Sequence, residues 1–162
     1  MSAVTPTAVL RIEDLRVSLP AGADRPYALE SFSLIVNPGE VVCLVGESGS
    51  GKSMAAGAIM RLLPEPLVRK TGGAVIFEGQ NLDALTEARM RGLRGDRMAM
   101  IFQEPMTALN PQKTVGWQLD EVLRLHTKLG RKARREKALA MLERVKIPDP
   151  KSALNAYPHQ VS

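Results

Sequence analysis

The sequence predicts an α/β protein: an antiparallel β portion at the N-terminus, a core strand that turns through glycines into a helix, and an all-helical subdomain at the C-terminus. Three observations carry this. Residues Leu10–Leu19 and Tyr27–Val36 alternate apolar and polar side chains at the two-residue period of a half-buried strand. "VVCLVG" (Val41–Gly46) is continuously apolar and runs into a glycine-rich stretch, as a strand covered on both faces does in a parallel sheet. From Val115 onward apolar residues recur at helical spacing and strand signals cease.

In chain order, "LRIEDLRVSL" (Leu10–Leu19) reads as a strand, "PAGADRP" (Pro20–Pro26) as a loop and "YALESFSLIV" (Tyr27–Val36) as a second strand. "NPGE" (Asn37–Glu40) is a tight turn into the covered strand. "KSMAAGAIMRLLP" (Lys52–Pro64) reads as a helix ended by Pro64. "GGAVIFEGQNL" (Gly72–Leu82) is a short strand, followed by a weak helix and the basic "RMRGLRG" (Arg89–Gly95). "RMAMIFQ" (Arg97–Gln103) is a further apolar strand. Three helical stretches close the chain: "VGWQLDEVLRLHTKL", the basic run Lys128–Lys146, and "DPKSALNAYP" (Asp149–Pro158). The boundary falls near Gln103–Pro111, so residues 1–103 form the core and 104–162 the helical subdomain.

Bulk composition narrows the function classes. Of 162 residues, 44% are hydrophobic and 24% charged, as in an ordinary globular domain. No apolar run approaches the roughly 18 residues of a membrane span, and the first residues lack the pattern of a secretory signal. A single cysteine, Cys43, cannot build a disulfide framework and points to a reducing compartment. Inside "VVCLVG" it reads as a small buried hydrophobe. The net charge of +5 is concentrated in Lys128–Lys146. That run reads better as a solvated helix face around an apolar stripe of Ala133, Leu139, Met141, Leu142 and Val145 than as a nucleic-acid contact. Aromatic residues make up only 4%, too few for a single-strand binder. Trp117 and Met54, Met60, Met98 and Met100 fit core positions; His126 and His159 are too isolated for a metal site.

"GESGSGKS" (Gly46, Glu47, Ser48, Gly49, Ser50, Gly51, Lys52, Ser53) fits G-x-x-x-x-G-K-[ST] between a predicted strand and a predicted helix. Phosphate binding demands this arrangement. Backbone N–H groups must turn inward around phosphate oxygens, and glycines permit the turn and the close approach. The helix entering at Lys52 and continuing through Met54 adds its N-terminal dipole. Lys52 brings a point charge to the phosphates, and the Ser53 hydroxyl can complete an Mg²⁺ shell. The stretch is a nucleotide phosphate site of the P-loop NTPase type. Kinases, GTPases, motors and transporters share it, so the loop does not select an activity.

The flanking residues are more selective. "SFSLIVNPGEVVCLVGESGSGKS" resembles the ATP-binding subunits of ABC transporters, and "MAMIFQEPMTALNP" resembles that family's Q-loop, with Gln103 at the entry to the helical subdomain. "QEPMTALNP" and "LLPEPLVRKTGGAVIFEGQNL" are similar to the oligopeptide, dipeptide and nickel importer group. The resemblance runs from about Val9 to the last residue. It implies ATP and Mg²⁺ as ligands, phosphate binding by Gly46–Ser53, and a Mg²⁺ shared by Ser53 and Gln103, with Gln103 also touching the attacking water. An amide suits that role, because it can ligate through its carbonyl and orient water through its NH₂ without titrating. The resemblance further implies that residues 104 to about 156 meet a membrane permease at the cytoplasmic face of the inner membrane. A second ATP-binding subunit or domain would pair head to tail, with an external solute-binding protein acting indirectly. No nucleic-acid partner is expected.

Two departures accompany the likeness. The family stacks an aromatic on adenine from the end of the first strand, where Leu19 stands. Tyr27 is the candidate substitute, and a plain strand-edge tyrosine is an equally good reading. "YPHQVS" resembles the approach to the family's signature motif, with Ser162 as its serine. The general base, the Mg²⁺-binding Asp and the switch His of the family have no counterpart in these residues. The expectation is therefore an incomplete sheet with uncovered apolar surface, nucleotide binding without hydrolysis, and low stability or self-association. Three other classes compete: an ABC-type ATPase of DNA repair or translation, an unrelated phosphate-loop kinase, and a non-catalytic nucleotide-binding module. "QEPMTALNP" argues against the first, and no lid or second-substrate residues support the second.

Overall fold

The computed structural model describes residues 8–103 and 108–161. The chain divides into two compact units, one through Arg91 and one from Gly92.

The first unit is built on an antiparallel sheet of order β2-β1-β3-β4. Its strands are β1 (Leu10–Ser18), β2 (Tyr27–Val36), β3 (Arg69–Phe77) and the short β4 (Gln80–Asn81). β1 is central and pairs Leu10 with Val36 on one side and with Phe77 on the other. Ile12, Leu15 and Val17 are buried although Ile12 and Leu15 differ in parity, which strict alternation forbids. A bulge resolves the conflict. Asp14 has φ 45°, its N–H donates to Ser33 Oγ at 2.9 Å, and its carboxylate accepts from Ser31 Oγ at 2.9 Å. The extra residue turns Leu15 back to the core face.

Helix α1 (Lys52–Ile59) lays Ala55 and Ala58 against this sheet, small residues that let the helix approach β2 and β3 closely. Val75, Phe77, Leu82 and Met90 are buried as well, with Ala28, Met60 and Val68. At the end of α1, the Arg61 guanidinium donates to the carbonyls of Leu85 (2.7 Å) and Leu82 (3.3 Å). A 3₁₀ turn (Leu82–Ala84) and helix α2 (Glu87–Leu93) follow the sheet.

Two expected strands do not form. Residues 41–46 carry no strand, and Val41 and Val45 are 90% and 93% exposed. Cys43, expected to be buried, is exposed. Residues 97–103 likewise form no strand; Ile101 is 90% exposed, and an isolated bridge joins Arg94 to Met98. The reason is physical. A strand exists through its ladder, and among the described residues neither run has a neighbour to share one with.

The second unit packs α3 (Val115–His126), α4 (Arg131–Arg144) and α5 (Pro150–Asn155) around Leu123, Ala138 and Leu154, flanked by Leu119, Leu139 and Leu142. Thr114 caps α3 by accepting from Trp117 N–H at 3.2 Å, and Asp149 caps α5 through Ser152 N–H at 3.0 Å. The expected stripe on α4 holds in part, since Leu139 and Leu142 pack against the core. Ala138 is the buried residue, Met141 and Val145 are exposed, and the buried face tracks Ala138 and Leu142 one turn apart. Trp117, expected in the core, is 46% exposed under the Lys113 ammonium, 4.9 Å from its ring centroid. Arg134 grips Asp120 with two bonds, Nε–Oδ1 at 2.7 Å and Nη2–Oδ2 at 3.2 Å, joining α3 to α4. That pairing holds the Asp120 carboxyl below its ordinary range and raises Arg134.

Candidate nucleotide-binding site

The "NPGE" turn launches the site. Asn37 O accepts from Glu40 N–H at 3.1 Å, and the Glu40 carboxylate accepts from the Asn37 N–H (2.7 Å) and its side-chain amide (3.0 Å). A turn closed from both ends orients the segment that follows. Residues 47–51 then fold over, with Ser50 N–H donating to Glu47 O at 3.2 Å.

Gly51 is the residue from which α1 springs, with φ 95°. A Cβ there would lie 2.5 Å from the Ala28 carbonyl oxygen and 2.8 Å from Leu29 Cδ2, so only glycine lets the loop sit against β2. The first bond of α1 runs from Ala55 N–H to Gly51 O at 2.9 Å. The preceding N–H groups of Lys52, Ser53 and Met54 have no partner within the helix. No side chain caps them and no acidic residue sits in the first turn. These donors and the helix dipole face an anion's natural position.

The Lys52 ammonium bends back over the loop. It donates to Gly46 O at 2.7 Å, Glu47 O at 2.8 Å and Ser50 Oγ at 3.1 Å. Three acceptors around one ammonium fix a positive charge above the backbone donors, with the flexible four-carbon stem immobilised. Glu47, Ser48, Gly49 and Ser50 line the exposed loop, Ser53 is exposed on the first turn, and Met54 is half-buried behind it. This donor set, backbone N–H groups, one lysine and one hydroxyl, fits a polyphosphate. It also fits Mg²⁺, which keeps several waters and takes one or two protein ligands alongside phosphate oxygens. Among the described residues no group of three or more His, Cys, Asp or Glu could hold a metal by itself.

The remaining expected residues lie apart in the chain. Gln103 belongs to the second unit and is exposed; its neighbours Glu104 to Thr107 lie outside the described residues, as does Ser162. Tyr27 is half-buried at the start of β2, opposite Ser18, and the Arg16 guanidinium covers its ring at 5.4 Å. Leu19 closes the β1–β2 loop by donating to Pro26 O at 2.9 Å.

Two polar residues escaped the sequence reading. Arg25, in that same loop, donates through Nη2 to the Gly49 carbonyl. Gln118 ties down the segment before α3. Its Oε1 accepts from Asn110 N–H at 2.9 Å, and its amide donates to Asn110 O and Lys113 O, each at 3.1 Å. Neither had a signal in the sequence, since an arginine in a loop and a glutamine on a helix are ordinary. Only folding brings their partners near.

The sequence model of the ABC transporter family matches residues 29–162. The chain is 46% identical over 154 residues to the probable peptide ABC transporter ATP-binding protein y4tR of Sinorhizobium fredii, covering 95% of this chain and 46% of that protein. It is 45% identical over 154 residues to the dipeptide transport ATP-binding protein DppD of Bacillus subtilis, again covering 95% and 46%. Against the oligopeptide transport ATP-binding protein OppD of the same organism it is 40% identical over 156 residues, covering 96% and 44%. The chain thus spans about half the length of the curated relatives it matches. Among solved structures, it is similar to the ATP-binding cassette MJ0796 in a dimeric post-hydrolysis state bound to ADP and Pi. There the TM-score is 0.79 at 24% identity, covering 94% of this chain and 63% of that one. The cbiO1 protein of Clostridium perfringens, part of the ABC transporter complex cbiONQ, gives 0.66 at 21% identity, covering 96% and 56%. These likenesses establish the fold as that of an ATP-binding cassette, α/β with a P-loop NTPase core.

Proposed function

Because the chain belongs to the ABC transporter family, we propose that it is the nucleotide-gripping part of the ATP-binding component of a peptide importer. Its ligand is ATP with Mg²⁺. Gly46–Ser53 and the first turn of α1 hold the phosphates, Lys52 neutralises them, and Ser53 contributes its hydroxyl to the metal. Gln103 supplies the second protein ligand to Mg²⁺ and orients water. Tyr27 lies on the base side. Bound Mg²⁺ supplies Lewis-acid polarisation of the phosphate oxygens. This chain's residues bind, orient and neutralise.

The observation that carries the proposal is the Lys52 ammonium held over an uncapped helix start by the carbonyls of its own loop. Peptides are the proposed cargo of the whole system because y4tR, DppD and OppD are named for peptide transport. Residues 104–162 are the proposed docking segment for a membrane permease at the cytoplasmic face. A second ATP-binding subunit pairs head to tail, and a solute-binding protein acts at one remove. Attachment in this reading is peripheral, by docking on the permease; no helix among the described residues is long and apolar enough to cross a membrane.

Gripping and hydrolysis separate in this proposal. Lys52 and Gln103 position the reactants, and the residues of this chain have no carboxylate assigned to take the proton from water. The 162-residue polypeptide therefore binds Mg–ATP without steady turnover. Titration with a fluorescent ATP analogue tests the first half: saturable binding in the wild type, lost in Lys52→Ala, is expected. Phosphate release tests the second, and turnover above the Lys52→Ala background overturns it.

A further inference from the structure

We propose that Arg25 is a further nucleotide-contact residue, its guanidinium a second cation for the polyphosphate chain. The inference rests on the phosphate-loop reading above and adds a residue that the loop motif does not contain.

The β1–β2 loop is short and closed. Leu19 N–H donates to Pro26 O at 2.9 Å and Ala23 N–H to Pro20 O at 3.2 Å. Arg25 projects from it and donates through Nη2 to the carbonyl of Gly49, the residue between Ser48 and Ser50 at the crest of the phosphate loop. A second close approach fixes the same two segments: Gly51 sits where any Cβ would meet the Ala28 carbonyl at 2.5 Å. Arg25 is thus held at the rim of the phosphate loop by the strand pair that supports it.

The chemistry favours an anion there. Arginine presents five N–H donors in a rigid fork, and the bond to Gly49 uses one. No carboxylate among the described residues lies within ion-pair distance of Arg25. A carbonyl alone would be served as well by a neutral donor. A permanent charge one hydrogen bond from a loop whose N–H groups converge on phosphate instead adds to the field that draws the ligand in. Lys52 braces Gly46 and Glu47 by their carbonyls, and Arg25 does the same for Gly49. Two cations therefore flank the loop.

The test measures affinity of the wild type, Arg25→Gln, Arg25→Lys and Lys52→Ala for Mg–ATP and for inorganic tripolyphosphate, at low and high salt. Glutamine retains a donor for Gly49 but no charge. Expected is an affinity loss of about five- to tenfold for both ligands in Arg25→Gln, largely restored in Arg25→Lys. The loss should shrink to under about twofold in 0.5 M salt, where an exposed charge is screened. Wild-type affinity in Arg25→Gln overturns the proposal, because it reduces Arg25 to a donor for Gly49. Equal loss in the glutamine and lysine variants also overturns it, as does a loss confined to ATP, which would mark a contact to the base. Binding absent in the wild type, or undiminished in Lys52→Ala, sinks the phosphate-loop reading itself. Binding lost in Lys52→Ala but intact in Arg25→Gln sinks Arg25 alone.

Discussion

Gly51 and Gly49 differ in a way that isolates what holds the phosphate loop. Both have backbone in the left-handed half of conformational space, with φ of 95° and 81°. A Cβ on Gly49 meets nothing within 4 Å, whereas a Cβ on Gly51 drives into β2, 2.5 Å from the Ala28 carbonyl oxygen. Alanine at either site carries the left-handed strain of about 1–2 kcal/mol. At Gly51 the collision with backbone adds overpacking of about 1–3 kcal/mol. Gly49→Ala should therefore cost about 1–2 kcal/mol and Gly51→Ala about 2–5 kcal/mol. Urea denaturation of a small domain has a slope of about 1–3 kcal/mol per molar. The Gly51→Ala midpoint should thus fall below that of Gly49→Ala by on the order of 1 M. Far-UV circular dichroism is the suitable probe, because the one tryptophan, Trp117, lies in the helical unit and does not report the sheet. Equal midpoints for the two variants would refute the close approach to β2 as the reason for glycine at 51.

Two further outcomes test the supports on either side of the site. Leu15 is fully buried beneath the bulge at Asp14, so Leu15→Ala should lower stability by about 3–5 kcal/mol; a loss under 1 kcal/mol in urea titration would mean that the core does not close under β1. Asp120 has its carboxyl depressed chiefly by the hydrogen bond from Arg134. Its contribution is therefore present above the ordinary carboxylate range and lost as pH falls through the lower folded value. Trp117 fluorescence melts should show the helical unit losing stability below about pH 4, with that slope reduced in Asp120→Asn; identical pH profiles would remove the pair from the account.

The legibility of this chain followed how far each signal reaches. The strands at Leu10–Ser18 and Tyr27–Val36, helix α1 and the three C-terminal helices lie where local periodicity puts them. Each buries one face, and that face is written in its own residues. The turn from Gly46 to Ser53 was legible for a similar reason: its hydrogen bonds are local, and Lys52 meets Gly46, Glu47 and Ser50 within six residues. Val41–Gly46 and Arg97–Gln103 have the composition of covered strands, yet neither is a strand here. Composition records which surroundings a segment suits, while the ladder depends on a partner from elsewhere in the chain. Cys43 and Trp117 went the same way, apolar by type and exposed in place.

By itself the sequence determined the α/β class, the glycine-rich turn between Gly46 and Ser53 that leads into a helix, and the family to which the chain belongs. Those are properties of short stretches, where each residue's neighbours are its own chain neighbours. Tertiary structure alone decided that Asp14 bulges to bring Leu15 inward, that Ala138 rather than Met141 is buried on α4, and that Arg25 reaches Gly49. Each of these depends on a contact between residues far apart in sequence. Such contacts form only when the whole unit packs, so no local pattern encodes them.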